Sequence, residues 1–112
     1  MLETPNKFGP SNQSRNRVTV DSMLRPLIPK FLINRKHEIE AMKAACKDQD
    51  LQAVARIAHG MKGASSSYGF SQMAMLASHI ESAASDQKDT SLEEALETLK
   101  EHLSNLEVVY EL

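Results

Sequence analysis

The sequence predicts an all-α fold, an antiparallel up-down four-helix bundle over residues 21–112 preceded by a flexible N-terminal arm over residues 1–20. Three observations predict it. The chain is 41% hydrophobic but only 4% aromatic, with no Trp. Its core must therefore be filled by Leu, Ile, Val, Ala and Met, a palette that suits helix on helix better than a sheet. Four segments carry apolar residues at helical spacing, joined by short polar connections. No strand-like alternation occurs beyond residue 20. A length of 112 residues allows one domain.

The arm, "MLETPNKFGPSNQSRNRVTV", is rich in Pro, Gly, Ser and Asn. Its "RVTV" could pair as a strand, but one strand alone is not stable. From Asp21, Leu24, Leu27, Ile28, Phe31, Leu32, Ile39, Met42 and Cys46 follow a helical spacing. Asp21 or Ser22 can cap this first helix, which is expected to end near Lys47. Pro26 fits its opening turns, whereas Pro29 should bend it locally. Cys46 falls on the apolar side and reads as a buried thiol. Asp50 is the expected cap of the second helix, whose stripe is Val54, Ala58, Met61 and Ser65, and Gly69 its stop. Ser71 can cap the third, with Met73, Leu76, Ala77, Ile80 and Ala84 inward. The fourth should open with a capping box, Ser91 and Glu94. Its Leu92, Leu96, Leu99, Leu103, Leu106 and Tyr110 form a bundle seam.

Composition removes several function classes. No apolar run reaches the ~18 residues of a membrane span. No signal-peptide pattern opens the chain, so a cytoplasmic location and no membrane partner are expected. A single cysteine, Cys46, supports neither an internal disulfide nor a Cys-based metal cluster. His37, His79 and His102 fall on three different predicted helices, so no metal site is expected. Arg25 to Lys62 holds eight Lys/Arg against four acids, whereas Glu81 to Glu111 holds nine acids against two lysines. That split argues against nucleic acid, which wants a broad basic footprint. It permits a basic patch aimed at an acidic protein.

The second helix is compositionally odd. "ARIAHGMKGASSSYGF" places Gly60, Gly63 and three consecutive serines, Ser65, Ser66 and Ser67, in a helix interior. Each such glycine costs ~1 kcal/mol against alanine. On a wheel of ~100° per residue, His59 lies roughly 130° from the centre of the apolar stripe and faces solvent. Arg56, Gly63 and Ser66 share that outer side. Lys62 sits on the flank one turn along, where i and i+3 side chains meet. An outward glycine beside a histidine leaves room for something to approach the ring. A neutral imidazole has one nucleophilic nitrogen and can accept a phosphoryl group. Lys62 supplies a cation for its oxygens, and Arg56 adds positive potential.

At these residues "AHGMKGASSSYG" resembles the histidine-containing phosphotransfer (HPt) domain of phosphorelays. That family has Ala, His, then Lys and Gly three and four residues on, which are Ala58, His59, Lys62 and Gly63 here. Gly69, ten residues after the histidine, also matches, and "PLIPKFLINRK" and "LASHIE" fit the flanking helices. The resemblance covers about residues 21 to 110. It implies that His59 takes a phosphoryl group from, and gives it to, aspartates of response-regulator receiver domains. A hybrid sensor histidine kinase is a candidate further partner. It implies no cofactor on this chain, the Mg²⁺ being the receiver's. A Gln or Glu on the family's third helix orients the imidazole, and Glu81 is the candidate. Arg56, Gly60, Gly63 and Ser66 are the candidate partner-facing set, although a larger residue is usual at Gly60.

Two rivals stand beside this. One is a non-catalytic adaptor or dimerisation bundle, with no role for His59. The other is a small helical enzyme using Lys62 and Glu81 as acid and base. No glycine-rich phosphate loop is present, so autonomous kinase activity is not expected.

Overall fold

The computed structural model describes residues 16–86 and 89–112. The chain runs through strand β1 (Arg17–Asp21), a 3-10 turn (Ser22–Leu27), helices α1 (Ile28–Lys47), α2 (Leu51–Ser67), α3 (Ser71–Ser85) and α4 (Asp89–Ser104), and strand β2 (Glu107–Glu111). Helix α2 packs against α1 and α3, and α4 packs against the same two. Thus α2 and α4 occupy opposite corners of a four-helix bundle.

The core is what the composition demands. Ile28, Met42, Val54, Met61, Met73, Ile80, Leu92 and Leu99 are fully buried, and Phe70 joins them. The α2 stripe of Val54, Ala58, Met61 and Ser65 is buried throughout. Phe31 of α1 stacks on Tyr68 and tilts against Phe70, at 4.6 and 4.8 Å between centroids. These contacts fix α1 across the end of α2.

The expected caps of α2 are in place. Asp50 accepts a hydrogen bond from the Ala53 N–H at 3.2 Å. At the other end Gly69 adopts φ +85°, a left-handed conformation that glycine takes without strain. Its N–H donates to the Ser66 carbonyl, and that of Phe70 to the Ser65 carbonyl.

Five local expectations are corrected. The first α-helix starts at Ile28, not Asp21, because a 3-10 turn containing Pro26 precedes it. Pro29 then lies in the first turn of α1, where its missing N–H has no helical partner to lose, and it starts the helix where a bend was expected. Cys46 is half-buried, not core. Phe70, not Ser71, occupies the N-cap of α3, anchored by its ring. Helix α4 begins at Asp89, so Ser91 lies inside it.

The largest departure from an all-α fold is a two-stranded parallel sheet. Arg17–Asp21 pairs with Glu107–Glu111, Val18 opposite Val108 and Val20 opposite Tyr110. Val20 is buried, and Val18, Val108 and Tyr110 pack against the core. The Arg25 guanidinium covers the Tyr110 ring at 4.6 Å. "RVTV" therefore has its partner strand, supplied by the other end of the sequence. Residues 1–15 of the expected arm lie outside the described residues.

His102, in the last turn of α4, ties this sheet to the bundle. It is 7% exposed, and its Nδ1 lies 3.2 Å from the Asn16 side-chain oxygen. Its Nε2 is buried with no partner among the described residues. Burial lowers its pKa. The unfolded chain then binds a proton near pH ~6.5 that the native state refuses. Stability is therefore expected to fall as pH drops below ~6.5 and to level off below the folded value. Thermal melts across that window, compared with His102→Gln, should show the slope reduced in the variant.

Candidate functional site

Ala58 and Met61 are fully buried on α2, so the intervening turn projects His59 outward. The imidazole is 68% exposed. On α3, Ile80 is buried and its neighbour Glu81 reaches over the flank towards α2. Its carboxylate spans two groups. Oε2 lies 3.0 Å from His59 Nδ1, and Oε1 accepts from Lys62 Nζ at 2.9 Å.

A carboxylate can only accept, so the His59–Glu81 contact selects the tautomer with the proton on Nδ1. Nε2 then carries the lone pair. Lys62 is half-exposed and bound by the same carboxylate that meets the ring. The ion pair itself was not expected: the phosphotransfer reading assigned Lys62 to the incoming group and Glu81 to the ring, and the rival enzyme reading put the two together as acid and base. The spacing of Lys62 from His59 was legible, whereas contact with α3 depends on how the two helices sit against each other.

The Glu81 pKa is lowered from its ordinary value, first by the Lys62 hydrogen bond, against the opposing effect of burial, and then by His59. A carboxylate with a depressed folded pKa adds stability above its unfolded value, near 4.5. That stability is lost as pH falls through the lower folded value. Glu81→Gln should therefore remove part of the acid sensitivity below pH ~4.5, a window separate from that of His102. Acid-unfolding curves of the two single variants check the separation.

The remaining sequence-predicted residues lie along the same helix. Arg56, Gly60, Gly63 and Ser66 are all exposed on α2. An alanine Cβ at Gly60 or Gly63 would meet nothing within 4 Å. Neither glycine is required by internal packing, and the surface is open at both. Ser67 Oγ donates to the Gly63 carbonyl at 3.0 Å, a local bond that competes with regular helix geometry. Ser65 is wholly buried at the helix contact, its hydroxyl without a partner among the described residues. His37 and His79 are exposed on α1 and α3. Among the described residues no group of three or more His, Cys, Asp or Glu side chains is placed to hold a metal ion. No helix among them is long and apolar enough to cross a membrane.

The family model described as Hpt domain matches residues 27–108, from the start of α1 into β2. No curated protein and no solved structure matches the chain. Hpt domains are phosphocarriers of phosphorelays, working with receiver domains and kinases without being kinases. The match covers all four helices, and the bundle it covers presents an exposed histidine beside a lysine and an open glycine surface: the chain belongs to the Hpt domain family.

Proposed function

We propose that His59 carries a phosphoryl group between aspartates of response-regulator receiver domains. The observation that supports this most is the His59–Glu81–Lys62 cluster, with Nδ1 engaged and Nε2 left to react. Nε2 attacks the phosphorus of a receiver's aspartyl phosphate. The P–N bond forms as the P–O bond to the aspartate breaks, and the aspartate leaves as a carboxylate. The Nδ1 proton stays where it is, hydrogen-bonded to Glu81, whose negative charge balances the cationic phosphoimidazole ring. When a second receiver's aspartate attacks the phosphorus, the P–N bond breaks and the imidazole leaves neutral. Glu81 thus acts as an orienting group in both directions, and no proton need move.

Lys62 swings from Glu81 towards the phosphoryl oxygens as their charge arrives, its ammonium held until then by the same carboxylate that meets the ring. Arg56, Gly60, Gly63 and Ser66 form the surface that the receiver covers. Positioning and charge neutralisation are the chief needs of phosphoryl transfer, and here they are divided between two proteins. The receiver brings the Mg²⁺ and the acidic pocket, and a hybrid sensor histidine kinase is a further candidate partner. This chain needs no cofactor and no ATP, and the site belongs in the cytoplasm with its partners. The short connections after α1 and α2 support an antiparallel up-down order for the helices that frame the site.

Incubation with a phosphorylated receiver tests the reading. The expected product is this chain carrying acid-labile, base-stable phosphate, as a phosphoramidate bond requires. ATP alone should give none. Absence of transfer from every receiver tried, or an acid-stable label, would sink the proposal.

A further inference from the structure

A groove runs between α3 and α4 with no part in the cluster above. Two cavities, of about 440 and 260 Å³, share Leu76 and Thr98 along their border and so continue one another. The larger is lined by Met75, Leu76, His79 and Ala95, with Glu94 on its rim. The smaller carries Glu101. Met75 is 63% exposed and its neighbour Leu76 half-buried, so the two put apolar surface on the groove. The lining runs from Ser91 in α4 to Asn105 just past its end, about 20 Å along the axis.

Charge selects what can fill it. Glu94 and Glu101 of α4 stand exposed at this groove, whereas Glu93 and Glu97 line a separate pocket against α1 beside Lys43 and Lys47. Helix α2, with Arg56 and Lys62, stands at the opposite corner of the bundle. The two sides therefore carry opposite signs. An acidic protein surface or an anionic lipid surface is repelled from the α3–α4 side. A basic segment is attracted there, and an apolar stripe on it would cover Met75, Leu76 and Ala95.

We propose that the α3–α4 groove docks a basic amphipathic helix of a partner protein, its apolar face on Met75, Leu76 and Ala95 and its cations against Glu94 and Glu101. This is helix-in-groove recognition, with the rim charges setting specificity. The opposite placement of α2 leaves His59 open while the groove is filled. Such a contact would tether the domain without blocking its surface for a receiver, and it does not depend on His59 being the phosphoacceptor.

The probe is a synthetic amphipathic helix of about 14 residues built from Leu and Lys, long enough for the groove. It is titrated into the full ¹⁵N-labelled chain. Saturable amide shifts at Met75, Leu76, Ala95 and Thr98, with His59 and Gly63 unmoved, are expected. Glu94→Lys with Glu101→Lys should weaken binding at least ~10-fold in about 0.05 M salt, both positions being exposed. Met75→Ser should weaken it at any salt concentration, and a peptide with Ser for Leu should not bind. Melting curves confirm that the variants are folded, and the salt dependence of the unmodified chain tests the charges without any variant. Shifts centred on α2, equal binding of a peptide with Glu for Lys, peptide displacement by a second copy of the chain, or shifts of the groove amides by anionic phosphatidylserine vesicles would each overturn the proposal.

Discussion

His59→Gln is expected to abolish phosphoryl transfer while leaving the domain folded. Glutamine keeps a side-chain N–H that can donate to Glu81, and it keeps a polar surface. Its amide nitrogen has no available lone pair, so no nucleophile is left. The ring is 68% exposed, and replacements at such sites usually change stability by no more than about 0.5 kcal/mol. Label from a phosphorylated receiver should therefore drop below detection, while the melting temperature moves by no more than a few degrees. Exposed His37 and His79 provide internal controls, since neither has an ion-pair partner like Glu81 among the described residues. If label survives in the variant, the acceptor is elsewhere and the cluster is an ordinary surface ion pair. If the variant unfolds, the His59–Glu81 contact is structural beyond what an exposed hydrogen bond can supply.

The helices and the outward histidine were legible because both follow from short-range periodicity. Val54, Ala58, Met61 and Ser65 mark one side of α2, and geometry alone then sends His59 to the other. The terminal sheet was not legible, for a reason that can be stated. Leu106 and Tyr110 lie four apart, which continues a helical seam, but four is also a multiple of two. In the fold 106, 108 and 110 are half-buried while 107, 109 and 111 are exposed, the alternation of a strand. What decides between the readings is a partner strand some ninety residues away, from Arg17 to Asp21, and local pattern does not carry such information. The Lys62–Glu81 ion pair was not expected, for the same reason. Lys62 is placed by α2 and Glu81 by α3, so their meeting depends on the packing of two helices.

The glycines of α2 give the second large effect, in which stability and function should move in opposite directions. An alanine Cβ at Gly60 or Gly63 meets open space. Each Gly→Ala change should stabilise the domain by about 1 kcal/mol, from helix propensity and the reduced freedom of the unfolded chain. A fold free to choose would therefore use alanine. Gly63→Leu should also fold, since its side chain extends into the same space. The open surface around His59 would then be occupied by four carbons. Transfer from a phosphorylated receiver should fall ~100-fold, the cost of displacing reacting groups by about an ångström. A small donor such as phosphoramidate does not need that surface, and it should label Gly63→Leu as fast as the unmodified chain. Equal loss with both donors would show that the substitution damages the imidazole site itself. Equal retention with both would show that no partner comes close at Gly63, leaving its energetic cost without a functional reason.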